Sequence, residues 1–246
     1  MRVAFDLDGV LAELHEPFVR AAVTLFPELD RAAIRSADIG ASPDDPEDQD
    51  AASEAVTEVP SPPSHVPLTS RQSDAVWRHL AAIDDFWESL QEIESGAIRR
   101  LAAVADERRW EVLFITSRPT SAGRTVQRQS QRWIERCGFP LPSVYVVHGS
   151  RGRIAAALNI DVVVDDRPEN CLDVVLESKA GALLVWRGAP DTVPGSARRL
   201  GIAVVPTVAA CLDAILEAQD GGAERGFLDR LRVLFGLRVQ KGDPRP

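Results

Sequence analysis

The chain opens with MRVAFDLDGV, residues 1–10, and the reading of this stretch decides the fold. Val3, Ala4 and Phe5 form a short apolar run without polar alternation, the pattern of a strand buried on both faces in a parallel sheet. Asp6 and Asp8 follow at once, and Gly9 permits a sharp bend of the backbone. Open α/β sheets collect their ligands at the carboxyl ends of the strands. Residues two apart share one face of an ideal strand, so both aspartates can face one pocket at the strand tip. A turn or a helix cap is the ordinary alternative for such aspartates.

Working outward, five more apolar runs end in small or polar residues: 112–115, 144–147, 162–164, 183–186 and 202–205. Helical spacing lies between most of them. Val126, Ser130, Trp133, Ile134 and Cys137 share a face, and Gly138 is placed to stop that helix. Ile98, Leu101, Ala102 and Ala105 repeat the spacing, as do Val208, Cys211, Leu212, Ile215 and Leu216 behind a cap at Thr207. Strands alternating with helices predict a doubly wound, Rossmann-like α/β sheet.

One gap breaks the alternation, between the first strand and residue 112. It holds helical stretches at roughly 15–26 and 73–90. Between them, residues 40–67 contain seven acids, six prolines and no Lys or Arg. That composition predicts a flexible acidic loop, with a lid that orders over a ligand as the alternative. Beyond Gly221 and Gly222, Phe227, Leu228, Leu231, Leu234 and Phe235 lie at helical spacing among Arg225, Arg230, Arg232 and Arg238. Such a basic amphipathic helix either docks on its own domain, the preferred reading, or meets a partner or membrane surface.

Composition narrows the function classes. The 246 residues carry net charge −9 and are 45% hydrophobic, which excludes wholesale disorder, collagen and coiled coil. No apolar run approaches the roughly 20 residues of a membrane span. Charges at Arg2, Asp6 and Asp8 argue against a secretory signal. Three separated cysteines, Cys137, Cys171 and Cys211, suit neither a disulfide framework nor a zinc ribbon. A cytoplasmic protein is expected. The acidic balance speaks against a stable nucleic-acid complex.

The run 162–164 leads into Asp165 and Asp166, a second acid pair at a strand end. Four carboxylates at neighbouring strand tips repel one another, and a hard divalent cation relieves the repulsion. Magnesium suits this, because it takes a few carboxylates together with waters and substrate phosphate. A third strand ends in Thr116, Ser117 and Arg118, where a hydroxyl, backbone N–H groups and a guanidinium can hold phosphate oxygens.

The set Asp6-Leu7-Asp8-Gly9-Val10-Leu11, then Thr116, then Asp165-Asp166, resembles the motifs of the haloacid dehalogenase superfamily across most of residues 1–210. The resemblance implies a Rossmann-like three-layer core and magnesium-dependent phosphoryl transfer through an aspartyl phosphate. Asp6 would be the nucleophile. Asp8 would serve as general acid and then base, with its carbonyl in the metal shell. Thr116, with Ser117, would bind the phosphoryl group. Asp165 would ligate magnesium, and Asp166 would stand behind it or bind through water. The core would comprise residues 1–14 and 94–220, with a helical cap at 15–93 inserted after the first strand and a tail at 221–246.

Within the cap, Phe86-Trp87-Glu88-Ser89-Leu90 followed by Gly96-Ala97 resembles the 5′(3′)-deoxyribonucleotidases, as does Asp165-Asp166-Arg167-Pro168-Glu169-Asn170. In that family aromatic side chains enclose a nucleobase, so Phe86 and Trp87 would contact substrate and Arg167 would sit beside its phosphate. Packing is the equal alternative for the aromatics, since Ile83, Phe86, Trp87 and Leu90 share a helical face. Two departures stand out. The superfamily's lysine has no counterpart, because Lys179 and Lys241 lie in the wrong places. Arg151 is the first replacement, with Arg153, Arg128 and Arg132 as rivals. Leu14 stands where the nucleotidases carry an aromatic residue. The expected substrate is a small phosphate ester, foremost a deoxynucleoside monophosphate. A sugar phosphate, a 3′-phosphate at a nucleic-acid end and a catalytically silent binding protein remain as alternatives.

Overall fold

The structure, a computed structural model, describes residues 1–34, 68–221 and 226–237. The acidic stretch 40–67 lies outside the described residues, as do Arg225 and Arg238. Eight strands occur among the described residues: β1 (Arg2–Asp6), β2 (Ala12–Glu13), β3 (Gln91–Glu92), β4 (Glu111–Thr116), β5 (Ser143–Val146), β6 (Val162–Asp165), β7 (Gly181–Val185) and β8 (Ala203–Val205). Six of them form one sheet in the order β5-β4-β1-β6-β7-β8. The pairs β1–β6, β6–β7 and β7–β8 are parallel. The helices are α1 (His15–Leu25), α2 (Ser70–Ala81), α3 (Ala97–Arg108), α4 (Val126–Arg136), α5 (Arg151–Ala157), α6 (Pro168–Glu177), α7 (Gly195–Arg199), α8 (Val208–Asp220) and α9 (Phe227–Leu234). This is the predicted α/β, Rossmann-like fold. The strand order reverses at β1, and at such a reversal the carboxyl ends of the strands are the usual ligand site.

The chain forms two compact units, residues 1–6, 94–113 and 150–246 in the first, and 7–93 and 114–149 in the second. In the first unit, β1 and β6 are buried throughout Val3–Phe5 and Val162–Val164, which is why neither run alternates. Arg2 fastens the start of β1 by donating its backbone N–H to Asp161 at 2.7 Å. Glu94 caps α8 by accepting from the backbone N–H of Val208 at 2.7 Å and of Ala209 at 3.1 Å, and Thr207 adds the expected cap to Ala210. The tail helix α9 buries Leu231, and its Leu228 lies against Gly181 of β7.

In the second unit, α2 starts on a reciprocal capping box of Thr69 and Gln72. It ends at Ala81, well short of the predicted residue 90. Asp85 takes a left-handed conformation (φ 52°), where its carboxylate accepts the backbone N–H of Arg124 at 2.7 Å. Phe86–Glu88 then form a single 3-10 turn. Local hydrogen bonding to Asp85 therefore overrides the helical periodicity. Phe18 of α1 and Trp77 of α2 meet edge to face, with centroids 5.4 Å apart. No helix among the described residues is long and apolar enough to cross a membrane.

The packing of α5 on α6 depends on Gly152. A Cβ there would stand 2.1 Å from the carbonyl oxygen of Asp173. Exchange of glycine for alanine inside a helix ordinarily gains about 0.5–1 kcal/mol. Here the helices must separate, so Gly152→Ala is expected to destabilise by about 1–3 kcal/mol in urea unfolding.

Candidate active site

Asp6 and Asp165 are the last residues of neighbouring parallel strands, one register step beyond the Phe5–Val164 pair. Both are buried, Asp165 completely. Arg151, the first residue of α5 and only 4% exposed, stands by both. Its Nη2 donates to Asp6 Oδ1 at 3.2 Å, and its Nε lies 3.7 Å from Asp165 Oδ2, too far for a hydrogen bond. That Nε is buried without a hydrogen-bond partner. Asn170 of α6 donates Nδ2 to both oxygens of Asp165 at 3.1 Å, and the backbone N–H of Arg167 donates to Oδ1 at 2.9 Å. Burial nevertheless pushes the Asp165 carboxyl up from its ordinary pKa, against the opposing pull of Arg151, the Arg167 N–H and Asn170.

The rivals of Arg151 lie elsewhere. Arg153 is exposed and pairs with Glu177, Arg132 pairs with Glu88, and Arg128 is exposed on α4. Asp166 and Arg167 are half-buried, with Arg167 at the N-cap of α6. Cys171, one turn into α6, is buried. Its thiol is pushed well up by burial first, with Asp165, Asp166, Glu169 and Asp6 acting in the same direction.

The second unit holds the other predicted residues. Thr116 ends β4 and is buried, with Oγ1 3.5 Å from Asp8 Oδ2; Ser117 follows, half-buried. Asp8 is gripped by Arg118, whose Nε donates to Oδ2 at 2.8 Å and Nη2 to Oδ1 at 2.7 Å. The guanidinium read from the sequence as a phosphate ligand thus serves a carboxylate of its own chain. Of the two alternatives for Phe86 and Trp87, the structure displays packing: they are 3% and 1% exposed. Trp87 Nε1 donates to the carbonyl of Pro119 at 3.1 Å, and its ring meets Phe86 with centroids 4.9 Å apart.

Asn170 and the grip of Arg118 on Asp8 were not legible beforehand. Asn170 sits five residues beyond Asp165, where the start of a helix turns a side chain back to the strand end. That signal exists in the sequence only once α6 is placed.

Among the described residues, no group of three or more His, Cys, Asp or Glu gathers as a metal cage. Magnesium does not need one, since it uses one or two carboxylates and completes its shell with water and phosphate. Asp6 and Asp165 are two hard oxygen donors on adjacent strand ends. The donor set fits the ion.

With this geometry in place, the fold finds its likeness among solved structures. A HAD family hydrolase from Deinococcus radiodurans R1, crystallised with bound phosphate and sodium, is 21% identical and superposes with a TM-score of 0.53, over 87% of this chain and 94% of that one. A hydrolase from Pseudomonas syringae is 14% identical with a TM-score of 0.50, over 90% and 100% of the two chains. A Thermotoga maritima chain assigned as a beta-phosphoglucomutase is 17% identical with a TM-score of 0.51, over 88% and 98%. These likenesses, all at 21% identity or below, show a shared α/β fold. No family model matches the chain. No curated protein matches it either.

Removing Arg151 leaves two buried carboxylates without their guanidinium. Arg151→Met is expected to lower stability by about 3–5 kcal/mol, read from urea unfolding. The cysteines offer a second check. Burial raises the Cys137 thiol to about 11 and also raises Cys211, while the thiolate is the reactive form. Iodoacetamide should label Cys137 first, at a rate rising about tenfold per pH unit up to that value. Cys171 and Cys211 should label only after unfolding, as followed by peptide mass spectrometry.

Proposed function

We propose that this chain is a phosphatase of the haloacid dehalogenase type, acting on a small phosphate monoester. The observation that carries the reading is the pair Asp6 and Asp165 at adjacent parallel strand ends with the buried Arg151 beside both. The shared fold of a HAD family hydrolase that binds phosphate supports it.

In this reading an Asp6 oxygen attacks phosphorus, the ester P–O bond breaks, and the leaving oxygen takes a proton from Asp8. Water then attacks phosphorus and gives its proton to Asp8. The Asp6–phosphorus bond breaks, which frees phosphate and restores both aspartates. Thr116 and Ser117 hold the phosphoryl oxygens. Arg151 takes the place of the missing lysine, holding Asp6 in line and offsetting charge, and Arg167 lies toward the phosphate. Asp6 and Asp165, with Asp8 and Asp166 contributing, would hold magnesium, which would supply positive charge to shield the phosphate that Asp6 approaches.

The motif likeness at residues 86–90 and 165–170 makes a deoxynucleoside monophosphate the first substrate. A second reading, a sugar phosphate, is favoured by the burial of Phe86 and Trp87, which leaves neither ring open to stack on a base.

The test is phosphate release from dTMP, dUMP, a hexose phosphate and a 3′-phosphorylated oligonucleotide, with magnesium and with EDTA. Wild type should release phosphate only with magnesium, and Asp6→Asn should lose about 10³-fold or more while staying folded. Preference for dTMP or dUMP selects the nucleotide, and preference for the hexose ester selects the sugar phosphate. A folded wild type that releases phosphate from none of them overturns the proposal.

A further inference from the structure

Arg118 is a fully enclosed cation within the second unit. Its side chain has no exposure, although it belongs to a residue type that is almost never buried without partners. Three N–H groups of the guanidinium have partners, and two indole rings lie against it. One edge meets both oxygens of Asp8 in a parallel fork, at 2.8 and 2.7 Å. The remaining nitrogen, Nη1, donates to Ser130 Oγ at 2.9 Å on the buried side of α4. The guanidinium carbon lies 4.7 Å from the ring centroid of Trp87 and 5.7 Å from that of Trp133. Both rings are themselves tied down, Trp87 through Pro119 and Trp133 through a hydrogen bond from Nε1 to the carbonyl of Leu90 at 2.8 Å.

A fork of this kind sets the plane of the carboxylate as well as its distance, which a point charge on a flexible stem cannot do. Two flanking indoles within cation–π range and a hydroxyl at the far nitrogen leave the fork no freedom to turn. Asp8 itself is only half-buried, so one side of its carboxylate stays open. Oδ1 keeps a second lone pair beyond the one that Arg118 uses, while Oδ2 also lies 3.5 Å from Thr116 Oγ1. The group is therefore held still and still able to accept a proton. A guanidinium with no exposed surface is closed to a substrate phosphate.

We propose that Arg118 is a positioning residue that fixes the Asp8 carboxylate for proton transfer, locked in turn by Ser130, Trp87 and Trp133. The proposal rests on the phosphatase reading and names the residue on which the acid–base group depends. Its signature follows from that role. Small misplacement of a reacting group slows the chemical step while leaving substrate affinity largely intact.

The experiment measures kcat and KM for the best ester of the panel in wild type, Arg118→Lys and Ser130→Ala, with thermal unfolding of each. Lysine keeps the charge and loses the fork. The expected result is a cooperative unfolding transition for Arg118→Lys, with kcat reduced on the order of 100-fold and KM within about threefold of wild type. A folded Arg118→Lys whose kcat stays within about threefold of wild type, or whose loss lies in KM, overturns the inference alone. If Arg118→Lys fails to fold, Ser130→Ala decides, because it removes only the far anchor of the guanidinium. A fall in kcat of about threefold or more at constant KM supports positioning, and an unchanged kcat overturns it. A folded wild type inactive on every ester overturns the phosphatase reading, and this inference falls with it.

Discussion

Two carboxylates at the ends of adjacent parallel strands, both withdrawn from water, are the constraint that the first unit answers. Asp6 and Asp165 cannot be moved apart, because the β1–β6 register sets their separation and both strands are core. Burial of such groups is unfavourable unless cations and donors converge on them. α5 supplies Arg151 as its first residue, and α6 supplies Asn170 in its first turn and the Arg167 N–H at its cap. Both helices must therefore begin near one point and pack closely from there. Gly152 allows that approach, since any side chain would strike the carbonyl of Asp173. A packing detail at the residue beside Arg151 thus follows from the electrostatics of the strand ends.

The second unit meets the same problem by a different route. Asp8 is balanced by one guanidinium in a fork, and the guanidinium is balanced by π faces and a hydroxyl. The aromatic residues around it therefore have two duties. Trp87 fills the core with Phe86 and Trp77, and its face also carries the charge of Arg118. A tryptophan whose sequence reading left base stacking and packing as equal alternatives packs in the core and lies behind Asp8, against the residue that holds the aspartate.

The contrast between Arg151 and Arg118 is informative. Both are buried arginines beside acids of one motif. Arg151 makes one hydrogen bond to Asp6 and leaves its Nε without a hydrogen-bond partner, 3.7 Å from Asp165. Arg118 makes three hydrogen bonds and has its faces covered. In the proposed chemistry the loosely satisfied arginine faces the phosphate and the enclosed one does not.

Much of this was written in the sequence. The unalternating runs at 3–5 and 162–164 announced strands buried on both faces, and the acids behind them announced strand ends, because burial pattern and strand termini are local properties. Thr207 as a cap and Gly138 as a stop were legible for the same reason. Tertiary structure decided the rest. The helical face of Ile83, Phe86, Trp87 and Leu90 dissolved because Asp85 bonds to the backbone of Arg124, a residue 39 positions away. Which arginine meets Asp6 depended on the meeting of β1 and α5 across 145 positions, and the turning of Arg118 onto Asp8 depended on 110. Residue type and spacing report what a segment can bury and what chemistry it can offer. Which charge meets which partner is set by long-range packing, and no local pattern records it.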